Sequence, residues 1–267
     1  MPFTKELAAA LSAAEAAGRL ILEHYERFEP IPDAPSNIST ETDRAAQELI
    51  LQSLHGSFPN DALCAEEKTA TLAASPRTGN RLWIVDPIDG TRGFARKNDE
   101  FSVMIAFVEE AVMLVGVVLE PVGWKLTYAW QGGGCWRMVG SAGEKERCRV
   151  GVAQQLSAAT LTQSRSKLAK ESPVVAKLRP AKVIETYSAG VKLAQVAVGK
   201  ADIYANTYPE FHDWDICAGH ILVEEAGGRV TTLNGELIRY GREGASQRGG
   251  VLASNGLLHD LAIQALK

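Results

Sequence analysis

The stretch at residues 82–94, Leu-Trp-Ile-Val-Asp-Pro-Ile-Asp-Gly-Thr-Arg-Gly-Phe, constrains this chain more than any other. Its first four residues form an apolar run that fits a buried strand. Asp86 stands where that strand should end, and Pro87 removes a ladder N–H and biases Asp86 toward extended backbone. Asp89-Gly90 is a turn signal, and Thr91 is placed to cap a following helix. A chain that leaves a buried strand in this way presents two carboxylates beside free N–H groups. Carboxylate oxygens hold hard cations such as Mg²⁺, and N–H groups at a helix start hold phosphate. Asp-Pro and Asp-Gly pairs alone are ordinary turn punctuation. Joined to the strand and to the upstream acids Glu66 and Glu67, they point to metal-dependent phosphate chemistry.

The flanking sequence reads as layers. Residues 4–28 form an amphipathic helix with Leu7, Leu11, Ala14, Leu22 and Tyr25 on one face. A proline-rich loop follows, then a helix over 39–55 with a stripe of Ala46, Leu49, Ile50 and Leu54. Thr40 and Asp43 have the spacing of a capping box, so the ordinary role for Asp43 is a helix-start charge. A strand at 62–65 ends in Glu66-Glu67, two adjacent acids that a strand directs to opposite sides. Residues 68–80 read as a surface loop. Strands at 101–109, 112–120, 125–130 and 134–139 make an antiparallel meander, and 140–147 is the best linker.

Beyond the linker, strands at 159–163, 182–185, 201–205, 229–233 and 251–253 alternate with helices at 173–178, 188–198, 214–226 and 257–266. The expectation is an α/β (α+β layered) fold in two parts. Residues 1–145 carry most candidate ligands, residues 146–267 supply Asp215, and the site lies at their junction. Asp213 reads as the N-cap of the 214–226 helix, and Asp215 falls in its first turn, where the helix dipole favours an acid by roughly 0.3–1 kcal/mol. Tyr208, Glu210 and His212 are further candidates to face a substrate.

Hydrophobic content of 46% and charged content of 22% fit a soluble globular protein of 267 residues. A net charge of −4 argues against a general nucleic-acid binder, so an anionic ligand needs local basic groups or metal ions. Cys64, Cys135, Cys148 and Cys217 form no C-x-x-C pair and read as buried thiols of a reducing compartment. No run approaches a membrane span, and Glu6, Glu15 and Glu23 interrupt the Ala-rich start where a signal peptide needs an unbroken apolar core. The expectation is a cytoplasmic enzyme with no membrane partner.

Glu66-Glu67, then 83–91, then Trp214-Asp215 with Glu225-Ala226-Gly227-Gly228 together resemble the inositol monophosphatase superfamily, in order and over nearly the whole chain. Residues 96–103, Gly116-Val117-Val118 with Pro121-Val122, and the segment 188–204 resemble its 3'(2'),5'-bisphosphate nucleotidase branch. Two departures concern the substrate side: Ala189 stands where that branch often has serine, and the segment before Thr40 lacks a lysine frequent in the family. The resemblance implies an αβαβα sandwich, and two or three Mg²⁺ held by Glu66, Asp86, the Ile88 carbonyl, Asp89 and Asp215. It implies Thr91 as the hydroxyl that positions water, Asp43 as its orienting acceptor and Glu67 as a base candidate. Asp89, Gly90, Thr91 and Lys192 become the substrate contacts. Water then attacks directly, lithium inhibits, and the partner is a small phosphorylated molecule; family members are commonly homodimers. The implied substrate is adenosine 3',5'-bisphosphate, with inositol 1-phosphate or another sugar or alcohol phosphate, including histidinol phosphate, as the alternative.

Overall fold

Residues 102–109, Ser-Val-Met-Ile-Ala-Phe-Val-Glu, are apolar at both odd and even positions, so a strand here must be covered on both faces. The computed structural model, which describes residues 3–165, 172–208 and 210–267, supplies both covers. Helices α1 (Thr4–Arg27) and α2 (Glu41–Ser57) lie on one face of a seven-stranded sheet. Its strands are β1 (Ala62–Ala65), β2 (Arg81–Asp89), β3 (Ser102–Glu109), β4 (Val112–Glu120), β5 (Lys125–Trp130), β6 (Gly134–Val139) and β7 (Glu146–Arg147), side by side in that order. The β1–β2 pair is parallel and every later pair antiparallel, and within this run β3–β6 form the meander expected from the sequence.

On β3, Val103, Ile105 and Phe107 enter the core beneath α1 and α2, whereas Met104, Ala106 and Val108 enter the core on the other face. Fully burying a side chain such as Phe107 contributes about 1.5–3 kcal/mol. Two short helices join the first half: α3 (Ala70–Ala74) and α4 (Thr91–Ala95).

The second half builds a five-stranded sheet from β8 (Thr160–Ser164), β9 (Lys182–Thr186), β10 (Ile203–Asn206), β12 (Arg229–Thr231) and β14 (Val251–Ser254), in the order β12-β14-β10-β8-β9. A small ribbon of β11 (Glu210–His212) and β13 (Ser246–Arg248) stands apart. Helices α6 (Ala189–Ala197) and α7 (Asp213–Glu225) fill the space between the two sheets. Helices α5 (Pro173–Leu178) and α8 (His259–Leu266) cover the outer face of the second sheet. The layers run αβαβα, as expected. Gly116 of β4 sets the spacing across the middle. A Cβ there would sit 2.3 Å from Ile221 Cγ2 and 2.5 Å from the Ala218 carbonyl, so α7 lies directly on the strand backbone.

Four local expectations change. The 68–80 loop contains α3. The 140–147 linker ends as β7, paired with β6. On α1 the buried stripe is Ala10, Ala13, Ala14, Ala17, Gly18, Ile21 and Tyr25, while Leu7, Leu11 and Leu22 are only half-buried. Small side chains face the sheet, and the larger leucines flank the contact. On α2, Gln47 and Leu51 are buried in place of Leu49.

Candidate active site

Strand β2 does not stop at Val85; it runs on to Asp89. Its pairing with β3 shifts between Asp86, opposite Met104, and Asp89, opposite Ser102. Three steps on β2 therefore match two on β3, a bulge at the proline that cannot donate to the ladder. The extra residue lets two acids three apart line the same cleft, where a regular strand would part them. Gly90 follows with φ 87° and is the N-cap of α4, so Thr91, expected to cap, is instead the first helical residue. A side chain at 90 would also meet the Glu100 carbonyl at 2.7 Å. Glycine thus meets both demands of this corner.

Two helix starts complete the cleft. At the start of α2 the Thr40–Asp43 capping box is present. Asp43, fully buried, accepts the Thr40 N–H at 2.9 Å and the Thr40 hydroxyl at 2.5 Å, and its other oxygen lies 2.9 Å from Thr91 Oγ1. Thr91 Oγ1 is also 2.9 Å from the Ile88 carbonyl, so one hydroxyl proton faces two acceptors. At the start of α7 the N-cap is His212, and Asp215 accepts its N–H at 2.5 Å. Asp213, expected to be that cap, is the first helical residue, and its carboxylate takes the Gly241 N–H and the Gln247 amide at 2.8 and 2.6 Å.

Glu66 and Glu67 do diverge. Glu66 lines the cleft, whereas Glu67 accepts the Ser39 hydroxyl at 2.6 Å. Their backbone is clamped to α2 by Gln47, whose amide accepts the Glu67 N–H at 2.7 Å and donates to its carbonyl at 2.6 Å. Asp89 is held by the Ser188 hydroxyl and by the Gly190 N–H at 2.7 Å, both from the start of α6.

These carboxylates share one field. Burial, then Glu66, Asp89 and Asp215, push Asp86 well above the ordinary carboxylate range. Desolvation within the cleft, then Asp215, push Glu66 up to about 8, although its surface opens onto solvent. Burial pushes Asp215 up to about 7 against the His212 N–H bond. Asp43 is raised by burial, against the bonds from Thr40 and Thr91.

Their bonding fits a hard cation. Asp86 Oδ1 is buried with no hydrogen-bond partner among the described residues, a costly state unless something positive meets it. The carboxylates do not form a closed ligand cluster: no group of three Asp, Glu, His or Cys side chains among the described residues is already gathered to hold an ion. They share a cleft and a potential that a divalent ion would relieve.

The inositol monophosphatase family model matches residues 4–267. This chain belongs to that family. It is 31% identical over 273 residues to a histidinol-phosphatase of Mycobacterium tuberculosis, covering 98% of this chain and 97% of that protein. It is also 31% identical over 231 residues to the 3'(2'),5'-bisphosphate nucleotidase CysQ of Buchnera aphidicola, covering 85% and 84%. A solved inositol monophosphatase from Thermotoga maritima superposes with a TM-score of 0.81 at 28% identity, over 98% of this chain and 97% of that one. Relatives named for different substrates stand at similar identity. Family membership therefore gives a phosphatase and its fold and leaves the substrate to the cleft wall.

In this family member the wall is a cavity of about 470 Å³ running from the carboxylates to Tyr208 and His212, while the side chain of Glu210 lies outside the described residues. His212 stacks on Trp214, with ring centroids 4.4 Å apart. Lys192 reaches the wall but differs from the expected phosphate ligand. It is buried, and its ammonium donates to the Thr186 and Tyr187 carbonyls at 3.1 Å and to Ser164 at 3.3 Å. All three N–H groups are engaged, so in this geometry Lys192 ties β8, β9 and α6 together and offers Asp89 a nearby positive charge. Burial pushes it down to about 8.

Sequence reasoning passed over Gln47, Ser188, Arg92, Arg165 and Tyr187. A glutamine on the buried stripe of α2 was a readable signal for the first. Arg92 follows Thr91 directly in the stretch that carries the acids, whereas Ser188, Arg165 and Tyr187 meet the site from far along the chain, Ser188 from 99 residues beyond Asp89, which no local pattern reveals.

No helix among the described residues is long and apolar enough to cross a membrane. All four cysteines are free and buried.

Proposed function

We propose that this chain is a Mg²⁺-dependent phosphomonoesterase that removes the 3'-phosphate of adenosine 3',5'-bisphosphate. The observation that carries the reading is the Asp43–Thr91 hydrogen bond at the edge of a cleft holding Glu66, Asp86, Asp89 and Asp215. Glu66, Asp86, the Ile88 carbonyl, Asp89 and Asp215 would hold Mg²⁺, which when bound polarises phosphoryl oxygens and makes water a nucleophile near neutral pH. Thr91, anchored by Asp43, aligns the attacking water through its hydroxyl oxygen. Glu67, which accepts from Ser39 and adds to the effect of burial in raising the Asp43 carboxyl, is the base candidate. Water attacks the phosphorus directly, so no covalent phosphoenzyme forms.

The substrate preference draws on residues 96–103, which resemble the nucleotidase branch and pack beside the cleft. Glu100 accepts the Tyr187 N–H at 3.2 Å, and Tyr187 lines the wall. A cavity of about 470 Å³ is within the usual range for a ligand of nucleotide size.

Phosphate release would be measured with adenosine 3',5'-bisphosphate, inositol 1-phosphate, fructose 1,6-bisphosphate and histidinol phosphate, with Mg²⁺ and then with EDTA. The expected result is at least a tenfold preference in kcat/KM for the first, lost in EDTA. A preference for inositol 1-phosphate or histidinol phosphate would replace the substrate and keep the site. No release from any of the four would overturn the reading.

A further inference from the structure

The cleft carries a second charged feature besides the carboxylates. Three guanidinium groups surround the ring of Tyr187: Arg92 at 5.4 Å from its centroid, Arg165 at 5.8 Å and Arg96 at 5.9 Å. Like charges so close repel unless acids or acceptors relieve them. Two are relieved. Arg165 forms a two-pronged pair with Glu100, also donates to the Glu185 carbonyl, and feels the Glu185 carboxylate. Arg96 donates to the Tyr187 hydroxyl.

Arg92 is different. Its Nε is buried with no hydrogen-bond partner among the described residues, and the residue lines the cavity. It follows Thr91 directly, so its side chain starts one residue from the hydroxyl beside the carboxylates. The face of Tyr187 steadies the guanidinium by cation–π attraction, an interaction that engages the face of the group and not its N–H edges. A guanidinium edge matches two phosphate oxygens at once.

We propose that Arg92, steadied by Tyr187, is the subsite for a second phosphate of the substrate, the first lying at the carboxylates. This rests on the phosphatase reading above and names the class: small molecules with two phosphates, one cleaved and one held. The spared phosphate then distinguishes adenosine 3',5'-bisphosphate from monophosphates of similar size.

Two measurements separate this inference from the reading beneath it. In the first, wild type and Arg92→Gln are compared on adenosine 3',5'-bisphosphate and on adenosine 3'-monophosphate. The ratio of kcat/KM between the two substrates should fall about tenfold or more in the variant, chiefly through KM for the bisphosphate, as expected for losing a charge-assisted pair. Arg92→Lys, which keeps the charge and loses the fork, should fall between. Equal losses on both substrates would overturn the subsite and make Arg92 a support for Thr91. In the second, adenosine 5'-monophosphate is titrated by calorimetry in EDTA, where only the spared phosphate is presented and no turnover occurs. Wild type should bind about tenfold more tightly than Arg92→Gln, with matching Tm values showing both folded. Equal affinity, or no binding by wild type, would overturn the subsite even if the bisphosphate is hydrolysed. If no bisphosphate is hydrolysed but this difference is seen, the phosphatase reading falls and the anion subsite stands.

Discussion

The two helix starts that flank the cleft carry the same device and use it differently. In α2 and in α7 the third residue is an aspartate that accepts the N-cap N–H, Asp43 from Thr40 and Asp215 from His212. Asp43 is sealed from solvent and has both oxygens bonded, one to Thr40 and one to Thr91. Asp215 is half-buried, and one oxygen receives the capping bond. The first start aims a neighbour's hydroxyl; the second presents a carboxylate oxygen to the cleft. A helix-start acid therefore need not be either structural or functional. Capping fixes one oxygen and so orients whatever the other one does.

The comparison is broken or sharpened by three measurements, beginning with the largest effect. Asp215→Asn keeps a capping acceptor and removes the charge. Activity at saturating Mg²⁺ should fall on the order of 10³-fold, while the melting temperature stays within a few degrees. Near wild-type turnover would return Asp215 to capping alone.

Next, Asp43→Asn should lower kcat about 10- to 100-fold by loosening Thr91. Thr40→Ala removes the cap from the same box and should cost about 1 kcal/mol of stability, with a much smaller kinetic effect. If both variants lose activity equally, Asp43 acts only by holding the helix.

The smallest effect is on stability against pH. Asp215 is raised to about 7 in the fold from an ordinary value near 4, so the folded chain binds more protons than the unfolded chain between those values. Stability in EDTA should be fully present below about pH 4 as far as this group is concerned, and fall as pH rises through about 7. Melting curves at pH 5 and pH 8 should show that slope, flattened in Asp215→Asn and at pH 8 offset by Mg²⁺. An unchanged slope in the variant would remove Asp215 from the repulsive cluster.

What the sequence disclosed follows the range of the physics. The Thr40–Asp43 box, the strand into Asp86 and the meander from β3 to β6 depend on neighbours a few residues apart, and they are where the spacing puts them. Caps were harder. Whether Gly90 or Thr91, His212 or Asp213 is the cap depends on one backbone angle set by packing. On α1 the expected stripe holds at Ala14 and Tyr25 and differs at Leu7, Leu11 and Leu22, because large residues dominate a periodicity count while close approach to the sheet selects alanine. Resemblance alone marks Lys192 as a substrate contact, and the carbonyls that its ammonium meets belong to Thr186 and Tyr187, whose positions only the fold decides. Arg92 and Arg96 lie near the acids in sequence, but their meeting with Arg165 around Tyr187 joins distant segments and leaves no local mark.

Gly116 does not line the cleft, yet it works as a gauge. The acids of β2 and the acid of α7 belong to different layers, and the width of the gap between them is set where α7 rests on the bare backbone of β4. One added carbon at that point would act as a shim, tilting the helix and carrying Asp215 away from Asp86 while every bond within each layer stayed intact. The aperture of the cleft is thus calibrated by a missing methyl group, and the loops at its mouth are free to vary without resetting it.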